Sequence, residues 1–315
     1  MYARSTRDTT TSTTHMHEIK SKGLDAAASD QMVSTHLLTH YHEAEALRFL
    51  SERPLHTFGL TGLIKDNGLR SPINRGRFYA CRDRTGSLQG IGLVGYNTLF
   101  EARTDQAVRA FADLSRGYPG TFLILGEEAG IRTFWESYRP TDFHDAKMDR
   151  YVLFTRMRPV NVRRPVENLR RASLADLDSV VIAHNKIGIE ETGVDGLRRD
   201  REGFSKRCAD RIQRGRTWVL NEKGKLIFKV EVMTQTPEVT YIESMWVNPE
   251  ERSKGYGFRC LGQLSKNLLE HTGCVCLLVN ESNKAAQALY KKAGFEVTGN
   301  YLAVFLNTSK NNDVN

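Results

Sequence analysis

Six residues, Arg252-Ser-Lys-Gly255-Tyr-Gly257, have the composition of a turn that holds phosphate. The run Ile242 to Val247 leads into them, and Phe258, Leu261, Leu264 and Leu268 follow at helical spacing. This pattern predicts a strand, a tight turn and an amphipathic helix. Glycine lets such a turn close and lets backbone come near a ligand. The first N–H groups of the helix have no intrahelical acceptor and lie at the positive end of its dipole. A diphosphate satisfies both. The plain alternative is a glycine turn with no ligand. Further on, Gly273 ends the helix, Val275 to Val279 reads as a buried strand, and a second helix opens at Asn283 and closes at Gly294.

The turn, together with the strand and helix beyond it, resembles the GNAT acyltransferases in motif and in spacing. The residues that carry the resemblance are Arg252-x-x-Gly255-x-Gly257, Leu277-x-Val279, Asn283, Ala286, Leu289-Tyr290 and Gly294-Phe295. It covers roughly residues 169–306. It implies acetyl-CoA as cosubstrate, with no metal, and an amine as acceptor. Arg252, Ser253, Lys254, Gly255, Tyr256, Gly257 and Phe258 would form the pyrophosphate loop. Backbone of Met245 and Val247 would pair with the pantetheine arm like an added strand. Asn283 would bond that arm, and Tyr290 would protonate the leaving thiolate. Glu243, on the strand face that also carries Tyr241, Met245 and Val247, is the first choice of general base, and Glu231 on the adjacent strand the second. Glu190 and Glu191 lie where relatives bind the acceptor.

The elements that must position these groups form an α/β chain with a mixed sheet, in two tandem GNAT-like units. Residues 36–51 read as a helix, with His36, Leu37, Leu38, Tyr41, Ala44, Leu47 and Leu50 near one face, and 55–66 as short and mixed. His36, His40 and Glu43 share a neighbouring face, but no further ligands follow at a metal-site spacing, so they read as solvated surface. Arg77–Cys81 and Leu88–Tyr96 form a hairpin. Its second arm holds Gly90-Ile-Gly92-Leu-Val-Gly95, a formal dinucleotide motif in the wrong place: that motif must end a strand and open a helix. Glycines inside a strand instead mark bulges or close packing. Helices over 104–116 and 127–138 flank a strand at 121–126, and 151–154 closes the half. In the second half, helices span 173–187 and 202–214, and a hairpin spans 216–234. The stretch RGRFYACRDRTGSLQGIGLVG at 75–95 echoes RGRTWVLNEKGKLIFKVEVM at 214–233, which points to a duplicated unit. The first half has no counterpart to Arg252–Gly257. The expected division is a tail at 1–35, a degenerate unit at 36–157, a linker at 158–168, the complete unit at 169–306 and a tail at 307–315.

At 315 residues the chain exceeds what one core usually needs. It is 40% hydrophobic and 26% charged, as globular proteins are. No apolar run is long enough to span a bilayer, and no secretory signal opens the chain. Asp8, Glu18 and Asp25 argue against a transit peptide. Five scattered cysteines do not make a disulfide framework and fit a reducing cytoplasm. Cys274 and Cys276 share one sheet face as small buried side chains. The net charge of +8 suits anionic CoA as readily as nucleic acid. The arginine-rich stretch 155–171 lacks interleaved aromatics for base stacking, so nucleic acid is not the expected partner. The expected function is acetyl transfer to a small-molecule or peptide amine by direct attack in a ternary complex, with a homodimer open as an assembly. The alternatives are a non-catalytic acyl-CoA sensor and an aminoacyl-tRNA-dependent transferase.

Overall fold

The computed structural model describes residues 32–139, 146–158, 161–162 and 164–306. Of the tails expected at 1–35 and 307–315, residues 1–31 and 307–315 lie outside the described residues. The first half runs β1 (Val33–Leu37), α1 (Glu43–Ser51), α2 (Pro54–Asn67), β2 (Gly76–Asp83), β3 (Leu88–Gly95), β4 (Asn97–Ala102), α3 (Asp105–Ser115), β5 (Leu123–Glu127), α4 (Glu128–Tyr138) and β6 (Ala146–Arg156). The second half repeats that order with one short helix more after its first strand. It runs β7 (Leu169–Arg171), α5 (Leu177–Thr192), α6 (Gly196–Arg199), α7 (Arg201–Gln213), β8 (Thr217–Glu222), β9 (Lys225–Gln235), β10 (Thr240–Val247), α8 (Tyr256–Leu269), β11 (Val275–Asn280), α9 (Lys284–Lys292) and β12 (Glu296–Leu306).

Three local expectations need correction. Residues 33–35 belong to no tail, because β1 pairs with β2 from Val33 opposite Asp83 to Leu37 opposite Tyr79. The helix expected from His36 starts only at Glu43. His36 and Leu37 are held in the strand, and Thr39 and His42 close a short 3-10 turn by reciprocal bonds. The stretch 55–66 is one helix of 14 residues. It shows no amphipathic period because it is covered on two sides. Leu60 and Ile64 pack into the first-half core, while Phe58 stacks on Tyr241 of the second half at 4.2 Å. Gly62 lies so near Thr234 that any Cβ there would collide with its hydroxyl.

The twelve strands form one sheet in the order β1-β2-β3-β4-β5-β12-β6-β11-β10-β9-β8-β7. Read from either end, the order is the same once each strand is replaced by its counterpart six places along the chain. The two halves are therefore related by a pseudo-twofold axis between β12 and β6. Each half gives away its last strand: β12 sits between β5 and β6, and β6 sits between β11 and β12. The two echoing hairpins, β2–β3 and β8–β9, occupy equivalent places. The glycines of β3 allow close approach: a Cβ on Gly90 or Gly92 would meet the Phe111 ring at about 3 Å.

One core joins α8 and α9 to β9, β10 and β11, and Phe154 of β6 is fully buried within it. A second joins α3 and α4 to β5 and β12. On the opposite face, Phe58 of α2 packs with Cys274, Cys276, Leu153 and Tyr301. Cys274 and Cys276 do share that face, and burial pushes the Cys274 thiol up to about 11.

Candidate active site

The strand Thr240–Val247 forms because Tyr241, Ile242, Trp246 and Val247 suit a pleated, half-buried surface. It runs parallel to β11 only at Thr240–Val275 and Tyr241–Cys276, and beyond these pairs the two strands part. Ser244 takes a left-handed conformation (φ 51°), and the register against β9 shifts between Glu243 and Trp246. This bulge kinks β10 away from its neighbour. The side of Met245 and Val247 that would face β11 is left without a strand partner. The Val247 carbonyl accepts instead from Arg252 Nε at 3.2 Å.

The loop after β10 turns through two left-handed residues, Ser253 (φ 64°) and Gly255 (φ 84°). Gly255 is the N-cap of α8, and no side chain caps that helix. The N–H groups that open it therefore face outward with no side-chain acceptor. Gly257 has a different reason to be glycine: a Cβ there would lie 3.3 Å from both Leu289 and Val247. It lets the helix end seat closely on β10 and α9. The side chains of the loop are tied outside the turn. Arg252 braces the strand and lies 3.7 Å from Glu190, Lys254 pairs with Glu251 at 2.9 Å, and the Tyr256 hydroxyl donates to Glu222 at 2.7 Å. Phosphate binding at this loop would thus fall to backbone.

Three cavities adjoin here. The first, about 630 Å³, lies against Ser253, Gly255, Gly257, Asn283 and Lys292. The second, about 400 Å³, fills the gap between β10 and β11 and is lined by Glu190, Glu191, Glu243, Asn283 and Tyr290. They share Glu190, Glu191, Met245, Asn283 and Ala286 as common wall. Asn283 caps α9, accepting from the Ala286 N–H at 3.0 Å, and this fixes the residue at the junction. The third, about 570 Å³, opens from Glu243 into the first half.

The electrostatics of the middle cavity are those of crowded carboxyls. Glu191, at the end of α5, is open to solvent at the mouth yet crowded by protein. Desolvation, then the charges of Glu243 and Glu190, push its carboxyl up to about 7. Burial also raises Glu243, against the pull of Arg211. Tyr290 is 7% exposed and packs on Phe154 and Phe295. Its burial pushes the phenol far up, so the hydroxyl keeps its proton and remains a donor. One carboxyl that titrates near neutrality, a second beside it and a permanent donor can together accept a proton from an amine and supply one to a leaving thiolate.

Of the residues singled out from the sequence, the turn, Asn283, Tyr290, Glu243, Glu190 and Glu191 converge. Glu231 does not. It is fully buried, 2.8 Å from Lys229 Nζ, and accepts from the Thr217 hydroxyl at 2.8 Å. Next to that pair, His184 lies 3.0 Å from Lys229 and 3.1 Å from Arg211. Burial and the neighbouring cations hold its imidazole down at about 2, so it is neutral. This is an interior ion cluster that supports β9, and Glu231 lines none of the three cavities. Conversely, Tyr151 and Asp149 line the middle cavity although they belong to β6 of the first half. Nothing in the sequence could signal them, because their place depends on the strand exchange. Among the described residues no cluster of His, Cys, Asp and Glu could hold a metal ion, and no helix is long and apolar enough to cross a membrane.

Residues 190–295 match the family model described as "Acetyltransferase (GNAT) family". No curated protein matches the chain. Among solved structures, a Drosophila protein is similar with a TM-score of 0.62 at 12% identity, over 87% of this chain and 98% of its own. A GNAT-family acetyltransferase from Colwellia psychrerythraea gives 0.56 at 13% identity, over 87% and 99%. A GCN5-related N-acetyltransferase from Sphaerobacter thermophilus gives 0.51 at 11% identity, over 86% and 94%. At such identities the shared property is the fold, and it extends over both halves. With an uncapped helix entrance beside parting strands, and with the family model spanning the turn, Asn283 and Tyr290, residues 190–295 belong to the GNAT acetyltransferase family.

Proposed function

We propose that the chain is an N-acetyltransferase that moves an acetyl group from acetyl-CoA to an amine by direct attack in a ternary complex. One observation supports this above the others: the open N-terminus of α8 leads into the gap between β10 and β11, where Glu243, Glu191 and Tyr290 gather. The donor fits the residues present. Backbone N–H groups from Ser253 to Phe258 would hold its diphosphate, and free backbone of Met245 would hold the pantetheine arm, with Asn283 at the junction. Once bound, acetyl-CoA supplies an acyl carbon activated by its thioester.

The protein's own groups do the rest. Glu243, with Glu191 beside it, accepts a proton from the amine. Of the two, Glu191 titrates at about 7 and so is partly ionised at neutral pH. Tyr290 keeps its proton and offers it to sulfur. The parted strands hold amine and donor in one cleft, which converts a bimolecular encounter into a local one. No nucleophilic cysteine is needed: all five thiols are buried, and burial raises those of Cys81, Cys260 and Cys274 to about 11 or 12.

We take residues 36–157 as a degenerate unit and 169–306 as the complete one, joined by 158–168. The buried free thiols fit a reducing, cytoplasmic setting. Calorimetry with coenzyme A, paired with thiol release from acetyl-CoA over an amine panel, tests the proposal. Affinity with turnover is expected. Affinity without turnover on any amine would replace it by a sensor role, and RNase-sensitive association with tRNA by a tRNA-dependent transfer.

A further inference from the structure

The first half retains a cleft of its own. Strands β4 and β5 are parallel only at Asn97–Leu123 and Thr98–Ile124 and then part, as β10 and β11 do. The cavity of about 570 Å³ occupies this gap and runs on to Tyr241, Leu278 and Glu243 of the second half. Glu243 and Leu278 also line the gap between β10 and β11, so the two chambers share a wall at the base.

This cleft is not a second phosphate cradle. The helix at its mouth, α3, is capped: the Thr104 hydroxyl accepts from the Ala107 N–H at 3.2 Å. Asp105 adds negative charge to its first turn. The loop with left-handed Ser253 and Gly255 has no counterpart there. The charge of the wall points to the opposite kind of ligand. Asp66, Glu101, Asp105 and Glu127 face Arg53 and Arg103, and burial keeps His56 neutral. Arg53 bridges Glu101 at 2.8 Å and Glu127 at 2.6 Å. Asp66 is paired outside the wall with Arg216, and Arg103 with Glu52. With those partners and Glu243 counted, carboxyl groups outnumber guanidiniums by three. The remaining surface is apolar, from Phe58, Leu63, Leu99, Phe100 and Leu125.

Resting on the acetyltransferase reading, we infer that the first-half cleft is the acceptor chamber and takes a primary amine on an apolar, uncharged body. The volume suits a small ligand. The acidic wall draws an ammonium and repels phosphorylated or carboxylated acceptors. At the inner end the ammonium gives one proton to the Glu243 carboxylate. The freed lone pair then forms the C–N bond as the thioester C–S bond breaks. A second nitrogen proton ends on the departing sulfur by way of Tyr290, and the third remains on the amide.

The test uses the full chain with 2-phenylethylamine, glycine and glucosamine 6-phosphate as acceptors, and two variants that fill the chamber from opposite walls, Leu99→Trp and Thr133→Trp. The expected kcat/KM for 2-phenylethylamine exceeds that for the other two at least 100-fold. Either variant should raise its KM at least tenfold while the Kd for coenzyme A stays within twofold. A rise in Tm with 2-phenylethylamine alone should be seen for the wild type and lost in a variant that still binds coenzyme A. Equal or better use of glucosamine 6-phosphate, or a KM and a thermal shift unchanged in both variants, overturns the inference. A wild type that fails to bind coenzyme A but keeps the amine-dependent shift would sink the acetyltransferase reading and leave the chamber standing.

Discussion

Glu191 and Glu243 share a cleft, and burial there, together with the charge of Glu243, makes Glu191 harder to ionise. Glu191 binds its proton up to about 7 in the folded chain, against an ordinary value of 4.5. If the pair is the base, kcat/KM falls as pH drops through about 7, and a rate–pH profile should show that acid limb. Glu243→Gln should lower kcat/KM by roughly 10²–10⁴-fold, the usual worth of a positioned base, while Glu191→Gln should move the limb away from pH 7. The stability consequence has a definite sign. Because the folded state holds this proton more tightly than the unfolded chain, stability is greatest below 4.5 and is lost as pH rises through about 7. Glu191→Gln should therefore melt above the wild type at pH 8 and show no such gain at pH 4, read by thermal denaturation. Tyr290→Phe should keep coenzyme A affinity but lose kcat, since the hydroxyl is wanted only when sulfur departs. The gathering of Glu243, Asn283 and Tyr290 around one cavity was legible in the sequence because the motifs that carry them sit at short, fixed spacings. Glu231 was misplaced for a definite reason: strand alternation puts Lys229 and Glu231 on one face of β9, but it does not show that this face is fully buried there and that the lysine closes off the carboxylate.

The turn before α8 separates two uses of glycine. Gly255 has open space where a side chain would go, but its φ of 84° strains any other residue. Gly257 has an ordinary conformation and no spare room. Gly255→Ala should cost about 1–2 kcal/mol in stability, and calorimetry should show coenzyme A affinity reduced at least tenfold. Gly257→Val should lose affinity by a different route, pushing α8 off Leu289 and Val247. A second element-level device lies far from the cleft. Asp176, only 6% exposed, accepts from Arg170 at 2.8 and 3.0 Å and from the Ser173 N–H at 2.7 Å. Those bonds hold its carboxyl down at about 2. Asp176→Asn should destabilise the chain by about 1.5–3 kcal/mol, the worth of a charged hydrogen bond. In the wild type this stabilisation is present above the ordinary carboxylate range and fades as pH falls toward 2, which acid denaturation can follow. At this scale the sequence was readable where one face of an element meets solvent. It was not readable for α2, which is covered on two sides, or for β4, which parts from its parallel neighbour after two residue pairs.

At the scale of the whole molecule, neither half owns a complete sheet. β6 pairs with β12 from Thr155 opposite Glu296 to Ala146 opposite Leu306, and with β11 on its other side. Phe154, fully buried among α8 and α9 side chains, is a first-half residue in a second-half core. Phe154→Ala should cost about 3–5 kcal/mol and should lower coenzyme A affinity as well, since Tyr290 rests on that ring. Residues 158–315 expressed alone should show no cooperative melting transition, and co-expression with residues 1–157 should restore one, measured by circular dichroism. The duplication could be read from the two Arg-Gly-Arg hairpins, but the exchange of last strands could not, because it leaves no local signature and depends on pairings more than a hundred residues apart. The exchange also bears on vectorial synthesis. The slot between β5 and β6 is filled by residues 296–306, which leave the ribosome long after both of those strands. Until then the nascent first half carries two open strand edges, the kind of surface that invites mispairing. Ribosome-bound chains stalled before residue 296 should thus stay protease-sensitive throughout their first half, and chaperone capture should end only once residues 296–306 have emerged.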